Sequence, residues 1–590
     1  MGGVDYGAGP IQDKLARNAL VLLLVGLRGR WKVPVAYFFT DHVTGGQLAA
    51  TIESSVELAT NAGLNVKAVV ADGTSVNFTA AKVLGVSIPA NLADLCPSFE
   101  CPKGSGRCLV WVADVCHMMK LMRNLLHDYQ EIYVMGRAIK WSYIQELFKL
   151  QETDSFVLSN KLSRRHIYYS RCIMKVGVAA QTLSRSVADA IDFLREDMKL
   201  PQFLGSEATT AFLRRIDCLF DILNSRHPCG RAFKAPLRLS SREVWEPFLK
   251  ETRAYLLSLC DMSGKPIFAT PKRTAVVGFC LTIDSVCLLA IDLLNNSNFS
   301  FFLTYKISQD HIELLFSKIR RRGGWCNNPT VSHFTAAIRA LLLSNAVRAS
   351  INANVRESDE EQEITLDFRR SRRLLSDTYP APVRLDTDSE QQVSVDLLSE
   401  RLSRLNDLPD TDWRANVLYY TAGYVAKRVA KKIACHECST ALFYREGDDD
   451  AGLLPCASFL LRRHRGGLHL PSIGCFKLVE AAEQSFRILF PGCDNVTVLP
   501  AGKNIDLKIE HAVLSVIDVH SLFPQLDTHF FDYSFEDDSS HVYKLIRCIV
   551  NYFVRVRLFR YGKLFYRRRI FSLSHASRQQ GTKLMLFRGQ

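Results

Sequence analysis

Strand-like apolar runs alternate with helical patterns through roughly the first fifth of the chain, and then give way to an almost wholly helical stretch over 140–298. No other feature restricts the fold as much. Residues 19–27 (ALVLLLVGL) and 33–40 read as buried strands, with a buried helix as the rival reading of the first. Residues 46–61 read as an amphipathic helix, 66–71 as a strand ending at Asp72, and 109–113 as a strand ending at Asp114. Strands mixed with helices imply an α/β layer, and such sheets place their sites at the carboxyl ends of strands. Asp72 is therefore a candidate site residue, although a plain turn or cap residue reads the same way. Asp114 likewise either caps the helix that follows or lies beside a site. Connections inside a compact domain are short, so the helical stretch reads as an inserted domain and not as a loop.

At 590 residues the chain exceeds what one core can organise. Hydrophobic residues at 47% and charged residues at 23% describe a globular protein, and 74 Lys and Arg against 60 Asp and Glu leave +14, which favours a polyanionic partner. The 17 cysteines are scattered through apolar stretches, as at Cys280, Cys287 and Cys548, and read as reduced intracellular thiols. The 19–27 run is too short to span a bilayer and lacks a basic flank, so no membrane association is expected.

Residues 308–329, SQDHIELLFSKIRRRGGWCNNP, concentrate a carboxylate, a basic cluster and a glycine break. A helix over 309–319 would bury Ile312, Leu315, Phe316 and Ile319 and leave Glu313 and Ser317 on the margin. It should end near Arg322, before Gly323 and Gly324. Arg320, Arg321 and Arg322 suit both the negative end of a helix and a phosphate backbone. A solvated basic helix end is the plainer reading of the same residues.

This stretch resembles the RNase H-like segment of P-element-type transposases and their THAP-domain relatives. The resemblance rests on Gln309-Asp310-His311, Glu313, Arg322-Gly323-Gly324, Asn328 and Pro329, and the pattern Asp114, His117, Lys120, Arg123, Asn124 is also similar to the family's. It implies an α/β RNase H-like domain in two parts, 1–140 and 299–350, interrupted by a mostly helical insertion domain, 141–298. A linker, 351–412, and a mixed C-terminal region, 413–590, would follow. It further implies an acidic triad of Asp5, Asp72 and Glu313 holding Mg2+ or Mn2+ for phosphodiester cleavage and strand transfer. Oxygen-rich carboxylates are the right chemistry for such hard cations. DNA is the implied partner, in a homo-oligomer in the nucleus, with Arg320, Arg321, Arg322, Lys120 and Arg123 as contacts. The family's insertion resembles a guanine-nucleotide domain, so GTP is implied. No GxxxxGK[ST] run is present, and Asp310 is the residue singled out for nucleotide contact. Only four residues precede Asp5, and the family's N-terminal zinc-dependent THAP domain is not seen, so a truncated or inactive copy is expected as readily as an active one. A domesticated, non-catalytic nucleic-acid-binding or interaction protein is the alternative.

Three further stretches carry candidates. Cys96, Cys101 and Cys108 lie in a Pro/Gly-rich loop without a familiar zinc spacing. Cys435-His436-Glu437-Cys438, after a helix over 413–433, is half a zinc site, with His464, His469, Cys456 or Cys475 to complete it. In 544–569, Arg555, Arg557, Arg560 and Arg567–Arg569 interleave with Tyr552, Phe553, Phe559 and Tyr561. That pattern suits either a nucleic-acid grip or a basic amphipathic helix over a core.

Overall fold

A computed structural model describes residues 2–5, 12–29, 31–153, 157–158, 160–322, 326, 328–351, 413–444, 454–490, 505–530, 533–534 and 537–569. Gly323, Gly324 and the expected linker lie outside them. The chain divides into two compact units: Met1–Met118 with Asp221–Arg253 and Arg273–Gln392, and Met119–Phe220 with Ala254–Lys272 and Val393–Gln590.

The first unit begins with the short strands β1 (Gly3–Val4) and β2 (Gln12–Leu15). The run read as either strand or helix is a strand: β3 (Asn18–Val25) pairs antiparallel with β4 (Lys32–Thr40), from Asn18 opposite Thr40 to Val25 opposite Lys32. Helix α1 (Gly45–Asn61) starts at Thr44, which exchanges capping hydrogen bonds with Gln47. Next come β5 (Ala68–Ala71), α2 (Ser75–Leu84), β6 (Ser98–Glu100), β7 (Cys108–Ala113) and α3 (Val115–Tyr129). Gly85 closes α2 at φ 113°, the left-handed cap that glycine adopts without strain. β5 runs parallel to β7 with Ala71 opposite Ala113, and β6 pairs antiparallel on the other edge of β7. Asp72 and Asp114 therefore follow two paired strand ends.

Helix α4 (Thr274–Ile291) corrects one expected boundary. Read from sequence as part of the insertion, it packs on β7, where Thr282 Oγ1 donates to the Ala113 carbonyl (2.7 Å) and Ser285 Oγ to that of Trp111 (2.5 Å). A helix apolar on every side needs cover on several sides, and β7 supplies one of them. The span Thr274–Asn296 is long and apolar enough to cross a bilayer, but 72% of its apolar window is buried in the fold. Helices α5 (Asp310–Arg322) and α6 (Val331–Ile351) cover the β3–β4 hairpin. Ile319, Phe334, Ala337 and Ile338 form a core with Val21 and Phe39, joined by Ile312, Leu315 and Phe316, the face read from spacing.

In the second unit, β8 (Glu131–Val134) pairs with β9 (Arg137–Lys140) and with β10 (Leu259–Cys260). Helix Arg185–Glu196 buries Asp189, which ion-pairs with Arg214 and Arg465, and Asp192, which pairs with Arg195 and Arg214. Helices α7 (Trp413–Ala430), α8 (Ile473–Leu489) and α9 (His541–Arg569) pack together. On α9, Leu545, Ile546, Ile549, Val550, Phe553 and Val554 are fully buried. The tail is thus a helix over a core as far as Tyr561, the last residue of α9 whose side chain is described. Arg557, read as a possible phosphate contact, is buried and forms a two-pronged pair with Glu483 (Nε–Oε2 2.6 Å, Nη2–Oε1 2.7 Å).

Candidate active site

The carboxyl ends of β5 and β7 are held in register, and the side chains beyond them build the site. Asp72 Oδ1 accepts from Thr74 N (2.9 Å) and Asn77 Nδ2 (2.6 Å), so the loop into α2 fixes the carboxylate. Oδ2 makes no hydrogen bond among the described residues and retains its capacity to accept.

Asp114, only 2% exposed, is the strut between the strands and α5. Its backbone N donates to the carbonyl of Ala71, the residue before Asp72 (2.8 Å). One carboxylate oxygen accepts from His117 N (2.9 Å) and the other from Gln309 N (3.0 Å). Gln309 in turn accepts from the amide of Glu313 (3.1 Å), so a short chain of hydrogen bonds links the end of β5 to the turn of α5 that carries Glu313. The Glu313 side chain is exposed and has no ion pair among the described residues. The elements bearing Asp72 and Glu313 are therefore brought together, by a buried aspartate that sequence reasoning left undecided between cap and site.

Asp5 sits differently. Its backbone exchanges hydrogen bonds with Phe39 (2.7 and 3.0 Å), which places it on the edge of β4 opposite β3. Asp310 pairs with Arg226 and lies against Cys116, whose thiol is pushed far up by burial and then by Asp114 and Asp310. His311 is buried, and its Nε2 donates to the Tyr305 carbonyl (3.1 Å). Burial first, and then Lys32, push its pKa down to about 4.

Comparison with known proteins follows this architecture along the chain. Four family models match in order: the TNP-like RNase H N-terminal domain over 1–85, the TNP-like GTP-binding insertion domain over 116–236, the TNP-like RNase H C-terminal domain over 305–339, and the C-terminal domain of DNA transposase THAP9 over 402–563. Together these matches make the chain similar to P-element-type transposases. It is 28% identical to human DNA transposase THAP9 over 94% of this chain and 61% of that protein. It is 23% identical to the Transposable element P transposase of Drosophila melanogaster over 68% of this chain and 50% of that protein. It thus spans between half and two thirds of the length of these relatives. A solved Drosophila P element transposase strand transfer complex aligns with a TM-score of 0.48 at 23% identity, covering 57% of this chain and 73% of that one.

Of the basic residues expected as DNA contacts, Arg320, Arg321 and Arg322 are exposed at the end of α5. Lys120 and Arg123 are not surface contacts, being 5% and 0% exposed. The Arg123 guanidinium donates to the Ile173 carbonyl (3.0 Å) and to Asn124 Oδ1, and stacks 3.7 Å from the Tyr169 ring centroid. The inward face of α3 carries them, and the amphipathic spacing of their basic character hid that burial.

A second cluster lies in the second unit. Cys435, Cys438, His529 and His541 bring one ligand atom each within 4.8 Å of one another, a donor set of the kind that holds a metal ion. The CxxC half matches the sequence expectation and the other half corrects it. His464 Nε2 donates to the Leu468 carbonyl, His469 packs on Phe443, and Cys456 and Cys475 are buried in the core, outside the cluster. His529 and His541 were missed because nothing in their spacing ties them to a motif some ninety residues upstream. The loop cysteines Cys96, Cys101 and Cys108 form no such cluster among the described residues.

Proposed function

We propose that this chain is the catalytic core of a P-element-like DNA transposase, cutting and joining phosphodiesters at Asp72 and Glu313. The observation that carries the reading is the Asp114 strut, which couples the end of β5 to the helix of Glu313. Asp72, with one oxygen fixed and the other open, and the exposed Glu313 offer hard oxygen donors of the kind Mg2+ or Mn2+ takes. A pair of such ions held there would supply Lewis acidity to the attacking and leaving oxygens. The chain's own residues orient these carboxylates, and Arg320, Arg321 and Arg322 provide positive charge along the same helix for a DNA backbone. Asp5, bridged to Phe39 of β4, is the third carboxylate suggested by the family resemblance.

The match to a GTP-binding insertion over 116–236 supports guanine-nucleotide binding in that segment. Asp310 lies outside it, in its pair with Arg226. Assembly as a homo-oligomer and a nuclear location accord with chemistry on chromosomal DNA.

The test is divalent-metal-dependent nicking and joining of duplex DNA by the chain and its Asp72→Ala, Glu313→Ala and Asp5→Ala variants. Loss of cutting with DNA binding kept in the Asp72 and Glu313 variants is the expected result. Cutting that persists in either would sink the assignment. A parent chain that binds DNA and never cuts it would favour the non-catalytic reading.

A further inference from the structure

We infer that Cys435, Cys438, His529 and His541 form a tetrahedral structural zinc site that fastens the start of α9 to the C-terminal region. The four donors come from three separate places in the chain. Cys435 caps the short helix His436–Thr440, Cys438 lies in its first turn, His529 belongs to the 3₁₀ segment Pro524–Phe530, and His541 opens α9. A random meeting of polar groups has no reason to select this S2N2 set, which is a common zinc complement.

The distances agree with one central ion. Zn–S bonds of about 2.3 Å and Zn–N bonds of about 2.0 Å, set tetrahedrally, put sulfur and nitrogen about 3.5 Å apart. His529 Nδ1 lies 3.6 Å from Cys438 Sγ and 3.8 Å from Cys435 Sγ. The other nitrogen of the same ring, Nε2, is 2.5 Å from Glu437 Oε2. A carboxylate on Nε2 fixes the tautomer that leaves Nδ1 bare and aimed at the sulfurs, the outer support that metal-bound histidines receive. Glu437 lies between the two cysteines in sequence, so the CxxC turn supplies both thiolates and that support. Cys438 is buried while the other three are half-buried, which suits a closed structural site better than a catalytic one with an open position.

Such a site explains how α9, whose apolar face completes the core with α7 and α8, is held at its first residue. Zinc binds the folded arrangement and not the unfolded chain, so its affinity adds to the stability of this region.

The experiment uses the whole chain, purified under reducing conditions and dialysed against metal-free buffer. Elemental analysis should find about one zinc per chain. Cys438→Ser and His541→Asn should lose it, while the double variant His464→Asn, His469→Asn should keep it. Because the ligand variants can misfold, the wild-type chain is also loaded with cobalt(II), where thiolate charge-transfer and tetrahedral d–d bands are expected. Peptide mapping after alkylation gives a separate readout: Cys435 and Cys438 should be protected with zinc and reactive after chelation. A folded wild-type chain with well under one zinc, cysteines alkylated equally with and without zinc, or a Cys435–Cys438 disulfide in their place would overturn the inference.

Discussion

At the scale of single residues, Asp114 is the instructive case, because a buried carboxylate whose two oxygens accept from His117 N and Gln309 N positions the elements that donate to it. Asp114→Ala removes both acceptors and frees the start of α5, and displacements of about 1 Å cost on the order of 100-fold in rate. Asp114→Asn keeps one acceptor and should fall between. Metal-dependent nicking rates for the series, with circular dichroism to confirm folding, check this ordering, and equal activities would remove Asp114 from the site. His311, two residues before Glu313, gives a pH dependence. Folded, it takes up its proton only near pH 4, against an ordinary value of 6.5. Between these values the unfolded chain binds more protons, so stability falls as pH is lowered through that window and is untouched by this group above it. His311→Gln can still donate to the Tyr305 carbonyl and does not titrate. Its unfolding midpoint should drop less than that of the parent between about pH 7 and about pH 5, as read by urea denaturation.

At the scale of elements, the sheet and helices near Asp72 were legible because each is a local pattern. The capping pair Thr44 and Gln47 lies near the predicted helix start, and the spacing of Ile312, Leu315, Phe316 and Ile319 gave the buried face of α5. Pairings across long sequence gaps were not legible. Neither the hydrogen bond from Gln309 to Asp114 nor the meeting of His529 with Cys438 has a local signature. Arg557 misled for a related reason. Within an aromatic-basic run it looks like a phosphate contact, yet its partner Glu483 sits on another helix, where it also accepts from Arg487 (3.0 Å). Removing one partner of a buried pair strands the other, at about 3–5 kcal/mol. Glu483→Ala should therefore expose α9 to rapid hydrogen exchange, while Glu483→Leu combined with Arg557→Met should restore much of the protection. If the single variant exchanges like the parent, the pair contributes nothing to the packing of α8 and α9.

At the scale of the whole molecule, the excess of 14 positive charges matters only where it meets a polyanion. Net charge raises association with any nucleic acid, whereas a built contact releases counterions from particular phosphates. The salt dependence of binding separates these two effects, because each neutralised phosphate contributes about 0.9 to the slope of log K against log salt on duplex DNA. The arginines at the end of α5 are exposed and follow Glu313 on one helix, so DNA engaged at the carboxylates would pass over them. Replacing Arg320, Arg321 and Arg322 together by Gln should flatten the slope by about 2 to 3. Replacing buried Arg123 should leave the slope alone and lower stability instead, since its guanidinium is committed to the Ile173 carbonyl and the Tyr169 ring. Fluorescence anisotropy across a salt series measures both. A triple variant with the parent's slope would mean that DNA runs elsewhere on the surface, and the link between the basic end of α5 and the Asp72–Glu313 site would have to be given up.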